Sequence, residues 1–455
     1  MKKCLKIKIN CFCLAIILML LGGCQPTPSR EAVVNAGNLE KEIAGTSAAV
    51  GVYDAPESWQ ETLDIEGSDA KIVIDAKISV PDVTAFPVYK VSKADFTTEQ
   101  AQKLVNFFTQ GKDVIKDKER TKAELEQDLV YAKRDNDEQW MAQLEDMIET
   151  APATVQDEII KDWNPEKSPD GTFMDENGDR VSIGLRPDFF AYAKGCAMTE
   201  SMLASVGSED PDKKQKKFTI GDISISKDNA IDAAQKLLHE IGVDDMTAAS
   251  LEKALLCNSI LDVYTDDEKP LSEGYLIKFV RNVDGITGAS NDEIIFSIND
   301  DFAYRAPLCP ENILIYVDEA GEPQSFLWQY PLVIEEKTND SVELIPFEDM
   351  QQRIRDMLIF ISARDKEQKT IDRVELHMTI VDVRDKPKEA MYVPAWYVCY
   401  SKKVDDMTDG SSWIQNYRLV LNAVDGGRVL EVPVDNDPVM QQAIDQQIAQ
   451  YKNKQ

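Results

Sequence analysis

Two histidines in 455 residues are too few to supply the general bases and metal ligands on which many hydrolases and zinc enzymes depend. Neither stands in an HExxH motif, which excludes a zincin. No GxSxG nucleophile elbow occurs, which removes a standard α/β-hydrolase. The body cysteines, Cys196, Cys257, Cys309 and Cys399, lie far apart and lack the CxxC spacing of a zinc site. For Cys257 and Cys399, in apolar strand-like runs, buried thiols are expected. Past residue 24 no apolar run is long enough to span a bilayer, and no Gly-rich phosphate loop is present. Basic residues are also in deficit, 50 against 81 acidic ones, for a net charge of −31. Such a surface repels nucleic acid and anionic headgroups, so no nucleic-acid partner is expected.

What the chain does have begins at its start. Lys2, Lys3, Lys6 and Lys8 precede an almost wholly apolar stretch, Phe12 to Leu21, too short for a spanning helix but suited to a signal h-region. Leu21, Gly22, Gly23 and Cys24 close it as a lipobox, and the segment is similar to the signal peptides of bacterial lipoproteins. That resemblance implies cleavage before Cys24, removal of residues 1–23 and a diacylglyceryl group on the Cys24 sulfur. Two acyl chains give stable anchoring where one is marginal. The expected location is the extracytoplasmic face of the cell membrane, held by lipid. Removing four lysines and no acid takes the net charge from −31 to −35. Residues 24–56, rich in small and polar side chains, are expected to form a tether.

The length predicts two or three domains. Ile72, Ile74, Ala76 and Ile78 alternate in a strand, with residues 86–91 expected as its partner. Thr97 and Gln100 make a capping box ahead of the helical stripe Ala101, Leu104, Val105 and Phe108. Residues 121–149, highly charged and without Gly or Pro, open on a second capping box at Thr121 and Glu124. A polar break at 134–137 divides them into a helical hairpin, an insertion near 112–160 of a first α+β domain covering 57–212. The Asp175-Glu176-Asn177-Gly178 tip joins two further strands. A middle unit, 213–340, starts with a helix capped by Ser226 and stopped by Gly242, then continues in strands. A last unit, 341–455, repeats that order: Pro346 in the first turn, a stripe of Phe347, Met350, Ile354, Met357 and Ile361, then strands, and a closing helix after Pro438. Tight turns at Asp318–Gly321 and Asp425–Gly426 echo each other. The expected fold class is α+β, with small antiparallel sheets each covered by a helix, repeated, plus the charged hairpin.

Val393-Pro394-Ala395-Trp396-Tyr397-Val398, followed by Leu421-Asn422-Ala423-Val424-Asp425-Gly426-Gly427-Arg428-Val429-Leu430, resembles the ending of a PepSY-type domain. In that ending a P-A-W-Y-V strand pairs with one closed by D-A-x-T-G-x-V. This chain departs from it with Val424-Asp425-Gly426 where Ala-x-Thr is usual. The whole chain resembles an uncharacterised family of Gram-positive lipoproteins with a domain of unknown function. The PepSY resemblance implies binding or regulation and supplies no catalytic residues.

The remaining chemical signals are weak. Ser224-Ile225-Ser226-Lys227 fits S-x-x-K, but Lys337-Thr338-Asn339 lacks the Gly of a K-T-G strand, and Ser226 serves as a helix cap. The Asp175 loop misses EF-hand spacing. His239 and His377 are expected to be structural. Trp396, Tyr397 and Trp413 offer a possible interaction surface, although ring-rich strands are more often core. The expectation is a non-enzymatic, lipid-anchored binding or regulatory protein acting on another envelope protein through exposed sheet edges and the helical hairpin, with no cofactor and no metal. Two alternatives stay open: a ligand-binding lipoprotein for a cationic peptide or cell-wall fragment, and a hydrolase of unrecognised type.

Overall fold

Alternation at Ile72, Ile74, Ala76 and Ile78 is the pattern of a strand with one face in a core, and all four side chains are buried on β2 (Lys71–Ser79). The computed structural model describes residues 51–65, 70–117, 120–134, 138–200, 202, 220–257, 270–289, 294–295, 304–305, 308–362, 367–383, 386–405 and 412–430. The fold is mixed α+β, dominated by two large sheets, with five α-helices among the described residues. Strands and helices are numbered here along the chain.

The chain divides into two compact units made of interleaved segments. One comprises residues 1–92, 282–310 and 332–455; the other comprises 93–281 and 311–331. This replaces the expected succession of three domains at 57–212, 213–340 and 341–455. Strand pairing between segments about 300 residues apart leaves no local mark in composition or turns, so boundaries sought in polar stretches fall in the wrong places.

The first unit contains β1 (Ser58–Asp64), β2, β3 (Val88–Lys93), β11 (Ile286–Thr287), β12 (Ile294–Ile295), β13 (Tyr304–Arg305) and β16 (Leu332–Asn339). Helix α5 (Phe347–Ser362) follows, then β17 (Lys369–Val383), β18 (Lys386–Asp405), β19 (Ser412–Asn422) and β20 (Arg428–Leu430). The sheet runs β1-β2-β17-β18-β19-β20-β13, with β12 on β19 and β3 between β18 and β16. The predicted pairing of β2 with the 86–91 strand is therefore wrong: β2 lies between β1 and a parallel β17, with Lys369 opposite Ile72. Helix α5 buries Met350, Ile354, Met357, Leu358 and Ile361 in this core. Each such side chain contributes about 1.5–3 kcal/mol of hydrophobic stabilisation.

Every residue from Ala390 to Tyr400 is buried. A central strand covered on both faces reads as a continuous apolar run, which explains the P-A-W-Y-V segment. The tether also ends earlier than expected. Tyr53 donates from its hydroxyl to the Ile345 carbonyl at 2.6 Å and packs its ring 5.9 Å from Trp396. The ordered body thus includes residues assigned to the linker.

The second unit contains α1 (Thr98–Thr109), β4 (Ile115–Lys116), α2 (Lys122–Arg134), α3 (Glu138–Thr150), β5 (Asp170–Met174), β6 (Arg180–Arg186), β7 (Phe189–Ala193) and β8 (Cys196–Thr199). It continues with α4 (Lys227–Glu240), β9 (Met246–Cys257), β10 (Ser272–Val283), β14 (Asn312–Asp318) and β15 (Pro323–Gln329). Its sheet order is β4-β5-β6-β7-β15-β14-β10-β9-β8. The helix starts follow the sequence: the Thr97 and Gln100 capping box is formed, and Ser226 Oγ accepts from the Asn229 N–H at 3.2 Å. Ala101, Leu104 and Val105 of α1 and Ala230, Ala234, Leu237 and Leu238 of α4 enter one core with Phe190, Phe279 and Phe326. The closing helix expected after Pro438 and the polar boundary at 208–214 lie outside the described residues.

Candidate functional site

On β17, Glu375 and His377 are two residues apart and so share a sheet face. Tyr397 stands directly opposite Glu375 on β18. His377 Nδ1 lies 3.0 Å from Thr287 Oγ1 of β11, and its ring meets the Tyr397 ring edge-on at 5.6 Å. The Arg418 guanidinium lies over the Tyr397 ring, 5.5 Å from its centre. The adjacent His377 holds the Glu375 carboxyl below the usual range, outweighing the effect of burial. Hydroxyl, imidazole and carboxylate are the ingredients of an acyl-transfer relay. However, His377 Nε2 is 3.6 Å from Glu375 Oε2, an ion-pair distance and too long for the hydrogen bond that would fix the ring. The arrangement ties β11 to β17 through a polar contact.

A second cluster joins Tyr89, Asp284 and Lys337. Asp284 accepts from both the Tyr89 hydroxyl and the Lys337 ammonium, and its carboxyl is held down by Lys337 and then by Tyr89. Burial, then Asp284, raises the Tyr89 hydroxyl well above its ordinary value. Asp284 adopts φ 51° ahead of Gly285, so the cluster pins a tight turn. In the second unit, buried Arg281 contacts Asp245 and Glu311, and Trp328 Nε1 donates to Glu311 Oε1 at 2.9 Å. Burial pushes the Glu311 carboxyl up, against the pull of Arg281. In all three clusters each charged group faces a complementary one, which is the organisation of a structural network. Among the described residues no group of three or more His, Cys, Asp or Glu side chains could hold a metal ion.

The helical hairpin is different. The chain leaves the sheet at β4 and returns at β5, where Ile115 pairs with Thr172. Between them α2 and α3 pack on each other through Leu125, Ala132 and Leu144, a small core separate from that of the sheet. The second capping box is formed, with the Thr121 N–H donating to Glu124 Oε2 at 2.7 Å. Outside that small core, large apolar side chains face solvent: Val130 at 64%, Tyr131 at 47%, Trp140 at 37% and Met147 at 40% exposure. Helix α3 carries Glu145, Asp146 and Glu149, all exposed, and contains no Lys or Arg.

The proposed aromatic surface is not brought together. Trp396 is fully buried against Phe347 at 5.1 Å, and Tyr397 is buried on the opposite sheet face. Both are core, which corrects their assignment to an interaction surface; a strand covered on both sides leaves no ring for a partner. The side chain of Trp413 lies outside the described residues, as do Leu21, Gly22, Gly23 and Cys24. His239 is exposed and paired with Asp244 at 2.7 Å. Cys257 and Cys399 are buried. The sequence singles out the hairpin as a contact surface without saying which of its side chains stay exposed; Val130, Tyr131, Trp140 and Met147 are those residues, because the hairpin has more apolar positions than two short helices packed on each other can cover.

No family model matches the chain, and no curated protein does. A crystal structure of an uncharacterized protein from Eubacterium rectale ATCC 33656 is similar over 87% of this chain and 99% of that one, with 14% sequence identity and a TM-score of 0.48.

Proposed function

We propose that the mature chain is a lipid-anchored extracytoplasmic protein that binds or regulates another envelope protein, without catalytic activity of its own. The lipobox ending at Cys24 supports the address. The observation that carries the binding reading is the α2–α3 hairpin, which has its own small core and keeps Val130, Tyr131, Trp140 and Met147 exposed. Exposed aromatic and Met side chains at such density are typical of contact surfaces. The same reading takes the helix-and-sheet units as diverged repeats and the last as PepSY-like. Two features support it: α4 and α5 each bury an apolar stripe in the core of their own unit, and Asp318 and Asp425 both accept backbone N–H groups in turns using Gly321 and Gly426. Crosslinking in intact cells followed by affinity isolation tests the proposal. The wild type is expected to enrich an envelope protein that the Trp140→Ala/Met147→Ala variant enriches at least tenfold less. Equal recovery by both forms removes the hairpin as the contact surface, and recovery of no envelope protein by either removes the binding role.

A further inference from the structure

Strand β8 ends one side of the second sheet and pairs antiparallel with β9, in the register Cys196 to Cys257, Ala197 to Leu256, Met198 to Leu255 and Thr199 to Ala254. The two cysteines are thus directly opposite each other, with side chains on the same sheet face. Directly opposed residues in an antiparallel pair have Cα atoms about 4.5–5.5 Å apart. Disulfides span Cα separations of about 4.4–6.8 Å. A second observation brings the two strands close at this point. A Cβ placed on Gly195 would lie 2.3 Å from the Cys257 carbonyl oxygen, so the residue beside Cys196 must be glycine for β8 to approach. Cys196 is exposed and Cys257 buried, near Ile220 and Leu255, and both are in the thiol form.

We propose that Cys196 and Cys257 are a redox-active pair that closes into a cross-strand disulfide, locking edge strand β8 onto the sheet. The oxidant is a disulfide, either a small-molecule one or that of an exported thiol–disulfide oxidoreductase. Exposed Cys196, as thiolate, attacks one sulfur of that disulfide and expels the other as a thiolate, giving a mixed disulfide. Cys257 then loses its proton and attacks the Cys196 sulfur, releasing the second thiol. Two cysteine thiols and one disulfide become one intrachain disulfide and two thiols, and two electrons pass to the oxidant. The sequence leaves the pairing unreadable because 196 and 257 lie on strands separated by helix α4 and carry no motif. The register of the sheet selects the pair, independent of where the protein resides.

The test uses the purified full chain incubated with oxidised glutathione, alkylated, digested and mapped by mass spectrometry without reduction. The expected product is a single linked peptide joining Cys196 and Cys257, lighter by two hydrogens than its separate parts, with Cys309 and Cys399 alkylated. In Cys257→Ser the resolving thiol is gone, and a glutathione adduct is expected to accumulate on Cys196. Circular dichroism checks that this variant is folded, and Cys196→Ser, at an exposed position, serves if it is not: there, no linked peptide forms from Cys257. Alkylation of both Cys196 and Cys257 in the wild type overturns the proposal. So does a stable bond from either to Cys309 or Cys399, or a wild-type glutathione adduct on Cys196 that never resolves.

Discussion

Arg281 contacts two carboxylates at once, and one of them, Glu311, has almost no access to water. The Trp328 indole occupies the other Glu311 oxygen, so the buried acid is answered on both sides. Taking away one member of such a group leaves the other charged and unsolvated, which costs far more than the pair contributes when intact. Arg281→Met is therefore expected to destabilise the protein by about 3–5 kcal/mol in denaturant unfolding, whereas breaking an exposed pair such as Lys103 with Glu99 should change stability little. His239 provides a pH-dependent counterpart. Its hydrogen bond to Asp244 raises its pKa above the ordinary value, so its contribution to stability is fully present below about pH 6.5 and is lost as pH rises through the folded-state value. NMR titration of the His239 ring should show the raised pKa, and Asp244→Asn should return it to about 6.5. The roles of Ser226 and Thr97 were readable from sequence because a helix cap acts within three residues. Those of Glu311 and Arg281 were not, since nothing near either residue announces a partner 30 positions away.

At the scale of elements, helices were the most legible part of the chain. The stripes of α1, α4 and α5 bury the residues that a 3.6-residue period selects, and the break in the charged segment separates α2 from α3. Strands were legible singly but not in their pairing. The apolar alternation of β2 fixes which face is buried and says nothing of which strand lies alongside, so β3 was misassigned as its neighbour. For the candidate site the same limit applied to aromatics: Trp396 and Tyr397 stayed open as a possible surface beside the commoner core reading, because composition cannot show that a strand is covered on both faces. The separate core of the hairpin has a testable consequence. Leu144 is completely buried there, and Leu144→Ala is expected to cost about 2–5 kcal/mol of local stability. Hydrogen exchange should accelerate throughout α2 and α3 while α1 and the β5–β6–β7 strands keep their protection. Equal acceleration in the sheet would show that hairpin and sheet unfold together.

For the whole molecule, the proposed lipid anchor and the interleaved architecture lead to different experiments. Cys24→Ser removes the sulfur to which acyl chains would attach, and the protein is expected to shift from the membrane fraction to the soluble one; retention in the membrane would count against the anchor. The architecture concerns the order in which the chain can fold. Every segment of the second unit has been synthesised by residue 331, whereas β2 needs β17, whose pairing residues begin at Lys369. Ile72 and Ile74 emerge early and have no neighbour on that side until about 300 residues later, the separation that makes non-local sheets slow to assemble. Vectorial export would therefore deliver one half finished and the other with a sticky, half-made sheet. During that interval the open edge of β2 is left without its β17 neighbour, so slowing the arrival of the C-terminal strands is expected to lower the yield of folded protein.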